Sequence, residues 1–400
     1  MELTEAGNKF NKKHFIYMLI FILTFAISFM LAEIIVDSIY FFGIPFIITL
    51  IISGVLIDKG HRLWFMVLLL GEGALIIVLA LSYQTIFARN ILFILLGILS
   101  GFTTCGLMAN FADHTDEQFG NLNRSTVAGF IFSITWIIIA AAISAYLRYS
   151  RAPLDPINQW VYIGLLIFFG GVKFAGGICT IIIWITEGEA KSIIKYEMTG
   201  GVKGFFKDSF WFIISDKKYF TYWISYMLVW ISQGMLSLLT IPTGGLSFLE
   251  ISTYGFATGG LILVAGGYMI DKIGRKNMVI YGMILTTASF IVYIFDMGAV
   301  LTSGIAILVS TIFVIIADLA PADSRGRYSG IFIGLLLLGF LIGQIIGLGA
   351  TTTNTFAYFI AGAILCGIGL ILVLIFGKDT RGSEEVGEEL TFTSNEEITP

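Results

Sequence analysis

The sequence predicts an all-α membrane protein: twelve transmembrane helices arranged as two pseudo-symmetric six-helix bundles. Three observations lead there. Runs of roughly 20 apolar residues, the length at which a helix crosses the hydrocarbon core, recur along the whole chain. Charge is scarce, at 12% of residues against 57% hydrophobic, and a soluble domain carries about twice that charged fraction. One long polar stretch, residues 187–218, falls midway and leaves six runs on either side.

In order, the spans cover 14–34, 37–57, 63–83, 88–110, 124–148 and 159–186, then 219–241, 246–270, 277–297, 299–319, 326–349 and 355–376. Lys9, Lys12 and Lys13 precede the first. No small-x-small cleavage site follows it, so it reads as a retained helix rather than a leader. The central stretch mixes aromatics with lysines in "VKGFFKDSFWFIISDKK", a pattern that suits a helix lying at headgroup level. The tail from 382 is acidic and polar and reads as disordered. The expected units are a first bundle at 1–186, a central loop at 187–218, a second bundle at 219–381 and a tail at 382–400.

An even number of spans puts both termini on one side. Of the 23 Lys and Arg, all fall on that side except Arg89, Arg148 and Arg151, which fall opposite, and Lys173, which lies within a span. Short basic loops stay cytoplasmic, so both termini are expected inside. The net charge of −4 belongs to the loops and gives no reason for a nucleic-acid partner. Cys105, Cys179 and Cys366 are odd in number and sit in apolar runs, as packing residues rather than a disulfide framework. His14, His61 and His114 are scattered at run boundaries, without metal-ligand spacing or catalytic pairing. No His/Asp/Glu constellation converges at one depth. Neither an enzyme, a cofactor nor a bound metal is expected.

Two short charged corners interrupt the apolar sequence. "GVLIDKGHR" (54–62) follows the second span and "GYMIDKIGRK" (267–276) the eighth; both read Gly-x-x-x-Asp-Lys, half a chain apart. A second echo opens the fifth and eleventh spans. "NRSTVAG" (123–129) and "SRGRYSG" (324–330) match Arg124 with Arg325 and Gly129 with Gly330. A glycine near a helix end lets a neighbouring helix approach closely. An aspartate there can accept hydrogen bonds from the free N–H groups of another helix start, where the dipole favours an anion. In the first copy the glycine comes one position earlier after the aspartate, "DKGHR" against "DKIGR", which sets His61 directly before Arg62.

These motifs carry a resemblance. "GYMIDKIGRK" resembles the loop motif of the major facilitator superfamily, Gly-x-x-x-Asp-Arg/Lys-x-Gly-Arg-Arg/Lys. "APADSRGRYSG" resembles that family's loop before span eleven, and "GKDTRGSEE" is similar to the sugar-porter Pro-Glu-Thr-Lys-Gly after span twelve. With twelve spans and a central loop, the resemblance covers nearly the whole chain. It implies the major facilitator fold and secondary transport of a small organic solute across the cell membrane by alternating access between two halves. It also implies which contacts the corners make. Asp58, with Gly54 and Arg62, would face the start of span eleven near Arg325. Asp271, with Gly267, Gly274 and Arg275, would face the start of span five near Arg124. Together they would form a cytoplasmic gate.

The resemblance further places spans 1, 4, 7 and 10 around a central cavity. On span seven, Tyr222, Tyr226, Trp230, Gln233 and Ser237 fall within about 80° of arc. Span four offers Ser100, Thr103 and Thr104, span one Thr24 and Ser28, and span ten Ser303, Ser310 and Thr311. An aromatic and hydroxyl lining suits a neutral sugar or polyol; for any single hydroxyl, a bond to a backbone carbonyl is the competing use. Glu72 and Lys173 lie at comparable depths in spans the family keeps peripheral, and read as a structural pair. Glu33 and Asp37 near the outer end of span one, with Arg89 at the start of span four, resemble the coupling pair of sugar/proton symporters. An outer-rim salt bridge is the competing role, and uniport and proton symport both stay open.

Other features point away from particular relatives. Phe93 stands where proton antiporters carry arginine, span five lacks the Gly-Pro pair of drug antiporters, and Gln233 stands without the second glutamine of sugar porters. Two further readings remain: a proton-coupled drug or organic-anion exporter, and a non-transporting sensor or interaction relative. The expected partners are a small-molecule substrate, the lipid bilayer and, for a symporter, protons. The chain is expected to act as a monomer.

Overall fold

A computed structural model describes residues 39–59, 62–82, 86–114, 124–151, 156–187, 211, 214–237, 248–293, 301–320, 324–349 and 355–380. Among the described residues there are eleven long helices and no strand: α1 (Ile39–Lys59), α2 (Arg62–Ser82), α3 (Ile86–His114), α4 (Arg124–Arg151), α5 (Pro156–Glu187), α6 (Lys217–Ser237), α7 (Phe248–Ile273), α8 (Arg275–Tyr293), α9 (Leu301–Leu319), α10 (Arg325–Gly347) and α11 (Thr355–Phe376). They answer to the second through twelfth expected spans, with ends that differ by a few residues. The first expected span, with Thr24, Ser28, Glu33 and Asp37, lies outside the described residues. So do the tail, most of the central stretch, and the side chains of Arg62 and Ser303.

Six of these helices contain stretches long and apolar enough to cross a membrane: Tyr40–Asp58, Phe87–Ala112, Arg124–Ala142, Gln159–Ile182, Arg325–Gly347 and Thr355–Phe376. The surface fits that reading. Leu81, Phe87, Ile157, Trp160, Leu261 and Ile375 are exposed. In water such a surface invites aggregation; in lipid it meets its own solvent.

The helices pack in two groups. Within α1–α5, α3 lies against α1 and α2, and α2 against α5. Within α6–α11, α6 contacts α10 and α11, α8 contacts α9 and α11, and α7 contacts α9. The groups meet along two seams, α1 and α3 on α10, and α4 on α7 and α9. Glycines set how close the seams come. A Cβ on Gly54 would stand 2.6 Å from the Gly326 carbonyl, and one on Gly330 2.5 Å from that of Leu50. On the other seam, a Cβ on Gly267 would stand 2.6 Å from the Ser125 carbonyl, beside Gly129. Deeper in, Phe313 of α9 packs edge-on against Phe132 of α4 at 4.9 Å and Phe111 of α3 at 6.3 Å between ring centres.

The second charged corner is one residue long. α7 ends at Ile273, α8 begins at Arg275, and Gly274 between them has φ 108°. A side chain there would crowd the backbone, which is why the motif carries glycine at this point.

Candidate functional site

Asp58 closes the last turn of α1 and is buried, 2% exposed. Its Oδ1 accepts the Gly326 N–H at 2.8 Å, and its Oδ2 accepts the Arg327 N–H at 2.8 Å and Arg327 Nε at 3.2 Å. The first turn of α10 has N–H groups with no helical partner, and the carboxylate supplies one. Asp271 does the same on the second seam. Its Oδ2 accepts the Thr126 N–H at 3.0 Å and the Thr126 hydroxyl at 2.8 Å, in the first turn of α4. Arg275 lies 3.4 Å from its Oδ1. Both aspartates therefore meet the helix starts that the motif resemblance implied, one on each seam, at the same end of the bundle.

The arginines around these aspartates extend the network. Asp58 pairs with Arg327, two residues beyond Arg325. Arg124 Nη1 donates to Asp318 Oδ1 at 2.5 Å. Arg275 Nε donates to the other oxygen of Asp318 at 3.0 Å, as does the Thr380 hydroxyl at 3.0 Å. Asp379 then accepts the Arg275 N–H at 3.3 Å. Asp318, near the end of α9, thus joins the start of α4, the α7–α8 corner and the segment after α11. Sequence reasoning missed it. The available signal was an acidic residue in the last turn of an otherwise apolar run, "IIADLA".

A second charged cluster sits inside the first helix group. Lys173 of α5 pairs with Glu72 Oε1 of α2, to which Ser100 of α3 also donates. Thr103 donates to Glu72 Oε2 at 2.8 Å. All four are fully buried. Two charges in a dry interior persist only when paired and hydrogen-bonded. Here two hydroxyls of α3 help satisfy the carboxylate.

The expected cavity residues fall into distinct uses. Thr103 serves Glu72. Ser310 and Thr311 donate to the carbonyls of Ala306 and Ile307 one turn earlier, at 2.8 and 2.7 Å. Thr104 is fully buried, and its hydroxyl has no hydrogen-bond partner among the described residues. Arg89 is partly buried at the start of α3. On α6, the Tyr222 hydroxyl donates to the Lys378 carbonyl at 2.5 Å and that of Tyr226 to the Leu308 carbonyl of α9 at 3.1 Å. Trp230 is half-buried and meets Phe340 of α10 edge-on at 6.1 Å. Gln233 is buried, 4% exposed. The α6 stripe therefore faces α9 and α10. Among the described residues no group of three or more His, Cys, Asp or Glu could hold a metal ion.

Residues 219–395 match the family model described as Major Facilitator Superfamily. No curated protein sequence matches the chain. Among solved structures, the chain resembles the Escherichia coli fucose:proton symporter FucP at 14% identity and TM-score 0.65, covering 91% of this chain and 98% of that one. A second structure of that transporter, in the outward conformation, superposes at TM-score 0.62 with 14% identity and the same shares covered. The human organic anion transporter MFSD10 (TETRAN) is similar at 15% identity and TM-score 0.65, over 90% of this chain and 99% of that one.

Proposed function

We propose that this chain is a secondary transporter of the major facilitator superfamily that moves a small organic solute by alternating access, as the match of its C-terminal half to that family's model and its fold support. The observation that carries this reading is the pair of carboxylate locks, Asp58 on the start of α10 and Asp271 on the start of α4. Each joins one helix group to the other, and both lie at one end. A charge-assisted hydrogen bond is worth about 1.5–3 kcal/mol net. A handful of them at one rim can hold that end shut, yet few enough for binding energy to release. A merely structural junction has no need to concentrate its polar contacts at one end.

The basic loops lie at this end, which therefore faces the cytoplasm, with both termini inside the cell membrane. In this state the cytoplasmic side is locked. The gate consists of Gly54, Asp58, Arg62, Arg124, Gly267, Asp271, Gly274, Arg275 and Arg325, to which the geometry adds Thr126, Asp318 and Arg327. The substrate is a neutral hydroxylated solute, a sugar or polyol, taken up by uniport or proton symport. Two things support this class: the aromatic and amide face of α6, and the likeness of fold to a protein named as a fucose:proton symporter. An organic anion fits less well. Among the described residues, the buried cations Arg124, Lys173, Arg275, Arg325 and Arg327 sit at the locked end or against Glu72.

Accelerated counterflow in proteoliposomes tests the reading. A sugar or polyol loaded inside should drive transient uptake of the same labelled compound. Exchange of none among sugars, polyols, organic acids, amino acids and nucleosides, by protein that is demonstrably folded, would move the chain to the non-transporting relatives.

A further inference from the structure

The corner between α7 and α8 sorts its charges by direction. Its acids turn inward: Asp271 holds Thr126, and Asp379 accepts the Arg275 N–H. Its lysines turn outward. Lys272, in the last turn of α7, and Lys378, just past the end of α11, are exposed, and Lys276, in the first turn of α8, is partly so. Arg124, Lys173, Arg275 and Arg327 are each ion-paired. These three lysines have no carboxylate partner among the described residues.

The surface beside the lysines sets their depth. On α11, Ile368, Ile371 and Ile375 form an exposed stripe at helical spacing, and Lys378 takes its next position. On α7, the exposed Leu261, Val264 and Tyr268 lead to Lys272, whose ammonium lies 5.8 Å from the centre of the Tyr268 ring. On α8, the exposed Tyr281 lies just over one turn from Lys276. Exposed aliphatic stripes of this kind face acyl chains, tyrosines sit at the membrane–water interface, and lysines beyond them stand among the phosphates. Two contacts bring Lys276 and Lys378 to one place. Lys276 Nζ donates to the Leu374 carbonyl at 3.2 Å, one of those left over at the end of α11, and Lys378 follows Leu374 by one turn. Their neighbours Arg275 and Asp379 are joined as well. The Leu374 carbonyl takes one of the three donors of the ammonium. It fixes Nζ at the mouth of the α8–α11 groove and leaves two donors for a ligand.

We infer that Lys276 and Lys378, with Lys272 across the corner, seat the headgroup of an anionic phospholipid whose acyl chains lie along the exposed residues of α8 and α11. The charge balance selects the class. A choline or ethanolamine headgroup brings its own cation towards the lysines, whereas a glycerol headgroup leaves the phosphate charge uncompensated. Each lysine near an anionic headgroup layer strengthens the attraction about fivefold. The fixed position of Lys276 turns that attraction into a seat for one lipid. The inference rests on the chain's place in a membrane, and it needs neither transport nor a solute.

The test uses the full-length protein, purified in detergent and stripped of lipid, with phosphatidylglycerol, phosphatidylcholine and inorganic phosphate as probes. Native mass spectrometry counts bound lipid, and the melting temperature reads its effect. Phosphatidylglycerol is expected to bind saturably and raise the melting temperature, and excess inorganic phosphate should not displace it. Phosphatidylcholine should bind about tenfold more weakly. Lys276→Gln/Lys378→Gln should weaken phosphatidylglycerol binding about tenfold or more, and Lys272→Gln alone less, about fivefold. Lys9→Gln/Lys12→Gln, which removes the same charge elsewhere, should change it by less than about twofold. If the double variant melts early without lipid, Lys378→Gln carries the test, because its side chain makes no contact with another described residue. Equal losses in the two double variants would mean diffuse attraction and overturn the site. Equal binding of phosphatidylcholine overturns the anionic class, and displacement by inorganic phosphate assigns a soluble anion instead. Absence of lipid from the full chain overturns the site too. If binding then appears on removal of the acidic residues 383–400, the patch belongs to the tail. Counterflow plays no part in these outcomes, so the site and the transport reading fail separately.

Discussion

At the residue scale, the proposed gate turns on carboxylates set against helix starts. Asp58 and Asp271 each take N–H groups from a helix start, which any residue can supply. Asp318 differs in binding side chains, Arg124, Arg275 and Thr380, from three separate segments. Replacing it with asparagine leaves two arginines without their shared anion, and breaking buried pairs costs about 3–5 kcal/mol. The proposed closed state, with the two helix groups joined at this end, should lose population accordingly. Cys105 reports this: it is fully buried in the α1–α10 seam, with its thiol donating to the Gly326 carbonyl at 3.1 Å. In a Cys179→Ser/Cys366→Ser background, Asp318→Asn is expected to raise maleimide labelling of Cys105 at least about tenfold. Unchanged labelling would remove Asp318 from the gate. The Glu72–Lys173 pair behaves as a staple between α2, α3 and α5. Lys173→Met alone should destabilise by about 3–5 kcal/mol through the stranded carboxylate, and adding Glu72→Gln should restore most of the loss. Melting temperatures in detergent decide it, and a double variant no better than the single one would point to a role beyond packing.

At the element scale, glycines decide which helices can touch. The corner between α7 and α8 needs Gly274 because its φ is 108°. Gly274→Ala should cost about 1–2 kcal/mol from backbone crowding alone. Gly343 is a different case, helical and unstrained, but its face lies on the backbone of Ile231. Gly343→Ala must push α6 and α10 apart, at about 1–3 kcal/mol for overpacking. Melting temperatures in detergent check both costs, and a Gly343→Ala variant as stable as wild type would mean that the α6–α10 seam yields without strain. The helices themselves were legible in the sequence. α11 was read to the residue, and the others to within a few, because apolar runs end where charge and proline or glycine begin.

At the scale of the whole molecule, the proposed transport cycle requires the two seams, joined at one end, to open by rocking one helix group against the other. A tether across a seam should stop it. With Thr126→Cys and Asp271→Cys in a background without native cysteines, oxidation should abolish counterflow and a thiol reductant should restore it. Exchange that persists in the fully cross-linked protein would exclude rocking about this seam. The comparison with known structures reaches this scale only: sequence identities of 14–15% speak for a shared fold.

Read alone, the sequence determined the class of the molecule. Hydrocarbon thickness fixes how long an apolar run must be, so span length is written locally. The two aspartate corners were legible for a related reason. A helix start always offers free N–H groups, so an aspartate beside a glycine at a helix end announces a lock before its partner is known. Only the tertiary structure decided the rest. Asp318 gathers Arg124, Arg275 and Thr380 from positions far apart in the chain. Ser100 and Thr103 serve Glu72, and Gln344 meets Ser237 across a glycine seam. Each depends on which faces of distant helices are brought together. A side chain's periodicity gives its direction on its own helix, but not what stands opposite.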